Sequence, residues 1–123
     1  MIEGINHASF LIVAPEDTAI SQGSGQLKVL ATPRLVALME NAAMLTVAPS
    51  LSPEETTVGG QISITHLAPS AVGTEIAATA VLEKVEGRKL TFSVSAKEGD
   101  KLIGEGTHIR FIVNKEKFMA KLK

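Results

Sequence analysis

Three side chains with acid, base or hydroxyl chemistry stand apart from their surroundings in this sequence: Glu40, His66 and Thr32. Glu40 lies in a long apolar stretch, and at 100° per residue it falls among Val36, Ala43 and Val47. The polar stripe of the same stretch runs elsewhere, through Arg34, Asn41 and Ala48. Desolvation penalises the charged form of a carboxylate, so one among apolar neighbours is costly unless paired or hydrogen-bonded. Such a group is either a working acid or base, or a surface glutamate with small neighbours. His66 shares a strand face with Ile62 and Ile64 and, taken alone, reads first as a satisfied, half-buried histidine and only second as a proton carrier. Thr32 stands before Pro33, and there its first role is that of a helix N-cap. Gly59 and Gly60 allow a backbone N–H to come close to a ligand carbonyl, or make a bulge. His108 and Arg110 alternate along the last strand and so share a face, where they pair with a carboxylate or edge the sheet.

Other chemistries find little support. The chain lacks cysteine, which removes disulfides, thiolate catalysis and cysteine–zinc sites. His7, His66 and His108 have no close ligand spacing, so neither a metal nor a cofactor is expected. No glycine-rich phosphate loop ends in Lys-Ser or Lys-Thr, and no serine sits in a nucleophile elbow. A formal charge of −1 gives no overall field for nucleic acid or anionic membrane. The basic tail Lys115, Lys117, Lys121 and Lys123 reads as a solvated amphipathic helix with Phe118 and Leu122 packed down. The N-terminus has no basic region ahead of its apolar run, and no apolar stretch approaches the ~18 residues of a spanning helix. A cytoplasmic protein is expected.

These groups need a scaffold. With 123 residues, 45% of them apolar, the chain suits one domain over residues 1–123 with a real core. There are four phenylalanines and no tyrosine or tryptophan, so that core is largely aliphatic. Residues 7–13 read as a short strand, and a Gly- and Ser-rich loop spans 21–25. A helix starts at Thr32-Pro33 and stops at Pro49, with Leu35, Leu38, Met39, Ala42 and Leu45 as its core stripe. After a loop over 50–57, strands are expected at 62–66, 74–85, 90–97 and 102–113, the last three joined by short Gly-bearing hairpin turns. A short helix capped by Asn114 closes the chain. One strand, one long helix, then antiparallel strands is an α+β order, a lone helix lying across a curved sheet. Residues 76–82 and 109–113 look apolar on both faces, Arg110 apart. One helix cannot cover both sides, so a second copy of the chain is expected to do so.

The set as a whole is recognisable. Ala31-Thr32-Pro33, Ala37-Leu38-Met39-Glu40, Gly59, Thr65-His66, Val85-Glu86-Gly87-Arg88 and Gly104-Glu105-Gly106-Thr107-His108-Ile109-Arg110 together resemble the fluoroacetyl-CoA thioesterase-like family of hotdog proteins. The resemblance covers nearly the whole chain in one order. It implies a hotdog fold, a homodimer with a site at or near its interface, and hydrolysis of a small acyl-CoA. It implies the catalytic set Thr32, Glu40 and His66, with Glu40 as nucleophile or general base, His66 in proton transfer and Thr32 orienting the attacking group. Gly59 is the candidate for binding the thioester carbonyl, and Arg110 is placed with it on the substrate side.

Two other functions fit the same fold. Hotdog hydratases and dehydratases typically pair an Asp with a His on the active-site helix; this helix offers Glu40 and no His, which favours hydrolysis. A non-catalytic acyl-CoA-binding hotdog protein would use Glu40 and His66 only structurally. The fluoroacetyl-specific member carries gating phenylalanines ahead of the helix, whereas residues 19–31 here contain no aromatic. A loosely closing segment tolerant of several short acyl groups is therefore expected.

Overall fold

The computed structural model describes Met1–Leu122. Strand β1 (Asn6–Ile12) leads through a 3-10 turn and a one-turn helix α1 (Ala19–Gln22) into the long helix α2 (Thr32–Val47). Strands β2 (Glu55–His66), β3 (Glu75–Glu86), β4 (Lys89–Glu98) and β5 (Lys101–Asn114) follow, then a short helix α3 (Lys115–Ala120). All strand pairs are antiparallel and the sheet order is β1-β3-β4-β5-β2. The long helix lies across β3, β1 and β4, which is the hotdog arrangement the sequence led us to expect.

Alternation along the strands builds the core. Ile76, Ala78, Ala80 and Leu82 of β3 and Leu90, Phe92, Val94 and Ala96 of β4 turn inward beneath the helix. Leu35, Leu38, Met39 and Ala42 of α2 meet them, as the helical spacing predicts. Leu45 does not: it is 37% exposed, and Ala43 and Val47 are buried in the stripe instead. A 100° step separates neighbouring faces too coarsely to decide which side of the last turn is covered. Glycine lets α2 and β2 close on β5. A Cβ at Gly104 would stand 3.0 Å from Leu35 Cδ2, and one at Gly106 would strike the Ser63 carbonyl.

Several boundaries differ from expectation. Strand β2 begins at Glu55, inside the expected loop, because Glu55, Thr56 and Thr57 pair with Asn114, Val113 and Ile112 of β5. Residues 19–22 are helical: Thr18 Oγ1 accepts from the Ser21 N–H at the front, and Gly23 takes a left-handed φ of 75° at the back. The segment ahead of α2 is tied down by bridges Thr18–Leu30 and Val29–Ala71 and by a 3.0 Å Arg34–Asp17 ion pair. In the tail, Asn114 caps α3 by accepting from the Lys117 N–H at 2.9 Å, as expected. Leu122, however, is 71% exposed rather than packed down, and Lys123 lies outside the described residues. Nor is the sheet's outer face uniformly apolar: Val81 and Thr79 of β3 lie opposite Ser93 and Ser95 of β4.

Candidate active site

The structure gathers the candidate residues into two groups along α2. The first is at its N-terminal end. Thr32 is already the first helical residue, with Ala31 in the capping position and no side-chain cap. The N-cap role assigned to Thr32 is thus not the one it plays. Its hydroxyl goes to His66, with Oγ1 and Nδ1 2.7 Å apart. The pair lines a cleft of ≈ 290 Å³ with Val29, Leu30 and Ala68. His66 Nε2 is buried without a hydrogen-bond partner, leaving one ring nitrogen uncommitted. Burial lowers the His66 pKa from the ordinary 6.5, and the nearby Ala68 backbone opposes part of that shift without reaching hydrogen-bond geometry.

Glu40 heads the second group. Eight residues on, it lies about 12 Å further along the helix axis. Half-buried, its carboxylate sits over Gly59: a Cβ there would stand 3.0 Å from Glu40 Oε2, 3.4 Å from His108 Cε1 and 3.6 Å from Arg110 Nη1. A side chain at Gly59 would therefore crowd the carboxylate and the imidazole, and its absence lets them come close to the β2 backbone. Gly59 also begins the irregularity in β2, since the β5 partner of Gly59 is Arg110 and that of Gln61 is Ile109. Gly60 is the extra residue, over which the Phe111 ring lies.

Arg110, placed on the substrate side from the sequence, is 7% exposed and extensively bonded within the chain. Nε donates to Thr57 Oγ1 at 2.8 Å and Nη2 to the Thr57 carbonyl at 3.0 Å, while Nη1 lies 3.2 Å from His108 Nε2. Burial lowers the Arg110 pKa and Glu40 opposes the shift, so the two charges feel one another. They stop short of ion-pair contact. Among the described residues, Glu40 has no hydrogen-bond or ion-pair partner. From the residues alone His108 was left between pairing with a carboxylate and edging the sheet, and Thr57 had no role. The alternation of His108 with Arg110 was the visible signal for the first, and nothing in the sequence marks the second.

One long helix across a curved antiparallel sheet, with an unpartnered carboxylate at one station and a Thr–His pair at another, places the chain among hotdog-fold proteins. The chain matches the family model described as fluoroacetyl-CoA-specific thioesterase over residues 13–116. It is 44% identical over 96 residues to the fluoroacetyl-CoA thioesterase of Streptantibioticus cattleyicolor, spanning 78% of this chain and 69% of that one. A solved threonine-to-serine mutant of a fluoroacetyl-CoA thioesterase in complex with acetyl-CoA superposes with a TM-score of 0.93 at 36% identity, covering 99% of this chain and 96% of the other. A thioesterase superfamily member from Thermus thermophilus superposes with a TM-score of 0.91 at 30% identity, covering 98% and 90%. The chain belongs to the fluoroacetyl-CoA-specific thioesterase family. It is a thioesterase.

Proposed function

We propose that this protein hydrolyses short acyl-CoA thioesters in a site assembled from two copies of the chain. The observation that carries this reading is the half-buried carboxylate of Glu40, held without a partner beside Gly59 on an exposed edge strand. A thioester needs an activated oxygen nucleophile and stabilisation of the carbonyl oxygen, and little help for its thiolate leaving group. Glu40 takes the proton of an attacking water, or attacks as the nucleophile itself to give an anhydride that a water then hydrolyses, freeing the acid and restoring the carboxylate. The carbonyl oxygen gathers negative charge as the new C–O bond forms, and the Gly59 N–H is the donor we assign to it. Collapse breaks the C–S bond and releases CoA as thiolate, which takes up a proton. His66 moves protons, and Thr32 fixes the ring through Nδ1. Arg110 supplies positive charge beside Glu40.

Two copies are required because one chain keeps the groups apart. Along β2, Gly59 and His66 are seven residues apart, about 20 Å in an extended strand. Strand β2 is one edge of the sheet, and Gly59, Gly60, Gln61, Ser63 and Thr65 are exposed on it. Antiparallel pairing of this edge with itself, centred between Ile62 and Ser63, sets Gly59 of one protomer opposite the partner's His66. Glu40 then meets a Thr–His pair it cannot reach within its own chain. Light scattering at micromolar concentration should give about twice the chain mass. A monomer would remove both the dimer and the shared site.

Acetyl-CoA is bound by the mutant relative described above, and fluoroacetyl-CoA is the substrate named for the family. Residues 19–31 carry no aromatic, which argues for tolerance among short acyl groups over strong fluoroacetyl preference. The test is a panel of acyl-CoAs with a thiol reagent reporting free CoA; the protein has no cysteine to add background. CoA release from acetyl-CoA and its short homologues is expected. Conversion of an enoyl-CoA without thiol release would favour a hydratase, and no turnover would favour a binding protein. A kcat/KM ratio above about 10³ for fluoroacetyl- over acetyl-CoA would overturn the tolerance.

A further inference from the structure

Inside the sheet, His108 has a defined hydrogen-bonding state that the catalytic reading does not use. It is 1% exposed, with its ring tilted against Phe92 at 6.1 Å between centroids. Nδ1 lies 2.8 Å from the Gln61 carbonyl oxygen, an acceptor only, so Nδ1 must carry a proton. Nε2 lies 3.2 Å from Arg110 Nη1, a donor only, so Nε2 must be the acceptor. The ring is therefore neutral, in the Nδ1–H form, and it accepts one Nη1 hydrogen. The Thr57 hydroxyl and carbonyl hold the rest of the guanidinium, through Nε and Nη2. The second Nη1 hydrogen is left for the space above Gly59, where Glu40 Oε2 stands on the other side.

We infer that His108 is a positioning residue of the thioesterase site: its neutral ring, anchored on the Gln61 carbonyl, aims Nη1 of Arg110 into the space beside Glu40. A guanidinium is planar, so fixing Nε and Nη2 sets its plane, while the bond to His108 fixes which edge Nη1 presents. Gln61 follows the extra residue Gly60, so the β2 bulge that opens the site also supplies the carbonyl that sets the tautomer. The charged groups facing His108 are Arg110 from β5 and Glu40 from α2. Burial is the main influence keeping the imidazole neutral, with Arg110 acting in the same direction and the Gln61 carbonyl and Glu40 opposing. Protonation would put a donor against a donor and release the guanidinium. This inference rests on the thioesterase reading above.

Three substitutions separate positioning from packing. In His108→Gln the amide oxygen can take the place of Nε2 and accept from Arg110. In His108→Asn the shorter amide can still reach the Gln61 carbonyl but offers Arg110 nothing. His108→Phe keeps the ring volume and loses both bonds. Thermal melts establish that each is folded, and kcat and KM are measured on acetyl-CoA. We expect Gln within about 3-fold of wild-type kcat, and Asn and Phe lower by about 10- to 100-fold with KM little changed. Equal kcat for Gln and Asn, or wild-type kcat in folded Phe, would overturn the inference. Nitrogen-15 chemical shifts of the wild-type histidine rings give a check that needs no variant. They should show His108 neutral at pH 7 with Nδ1 protonated, and the opposite tautomer or a charged ring would equally overturn it. Wild-type protein that releases no CoA would instead defeat the thioesterase reading, leaving the tautomer result to stand or fall alone.

Discussion

Glu40→Gln should fold as the wild type does and lose turnover by about 10²-fold or more. The replacement is nearly isosteric and removes only the charge. Glu40 makes no hydrogen bond or ion pair among the described residues, so no partner inside the chain is orphaned by the change. Its one charged neighbour, Arg110, remains bonded to Thr57 and His108. Relieving a half-buried carboxylate of its desolvation cost favours the folded state, while loss of attraction to Arg110 acts the other way. The thermal midpoint should change little. An amide neither takes a proton from water at neutral pH nor attacks a thioester at a useful rate, so the loss should appear in kcat with KM nearly unchanged. Folded Glu40→Gln protein with wild-type kcat would make Glu40 a structural residue.

A loss of similar order is expected for His66→Ala, with Thr32→Ala intermediate and Thr32→Ser mild. Because the capping position belongs to Ala31, Thr32→Ala removes the hydroxyl on His66 without removing a helix cap, and stability should hardly move. The pH dependence follows from the lowered His66 pKa. If the neutral ring is the active form, kcat/KM should be flat above about 6.5 and fall on the acid side, with its midpoint below that value. The limb should vanish from the residual activity of His66→Ala. Stability should follow the same sign. His66 and His108 both have folded pKa values below 6.5, so their contribution is complete above the unfolded value and is lost as pH falls through and below it. The unfolded chain then binds protons that the folded chain refuses. A kcat/KM profile rising toward acid, or wild-type activity in His66→Ala, would exclude this role.

The legibility of these residues in the sequence was uneven, for physical reasons. Glu40 was visible because a 3.6-residue period shows when a charge interrupts an apolar face. The pairing of His108 with Arg110 on one face was visible because strands alternate. The Thr32–His66 bond was hidden from local reasoning: 34 residues separate the partners, and capping explains a threonine before proline until the structure shows the cap one residue earlier. The family resemblance grouped Thr32 and His66 with Glu40 but gave Thr32 the attacking group to orient, not the imidazole. Thr57 was concealed in an expected loop, since polar Glu55-Thr56-Thr57 carries no strand period and is extended only by pairing with β5. Residues 19–22 were missed because one helical turn is too short to show periodicity. The dimer was expected from sheet faces that look apolar on both sides. Serines on the outer face of β4 weaken that argument, and the exposed edge of β2 now carries it.

That edge leads to the measurement closest to the centre of the account. Glu40→Gln and His66→Ala proteins should each be nearly inactive; mixed in equal amounts, unfolded and refolded together, half of the dimers should contain one chain of each kind. In a site that takes Glu40 from one protomer and the Thr32–His66 pair from the other, each mixed dimer holds one intact site and one doubly damaged site. The mixture should then recover about a quarter of wild-type specific activity, and refolding either variant alone should recover none. If each site draws Glu40 and His66 from the same chain, the mixed dimer carries no intact site. Activity in the refolded mixture no higher than the average of the two variants would contradict the shared site.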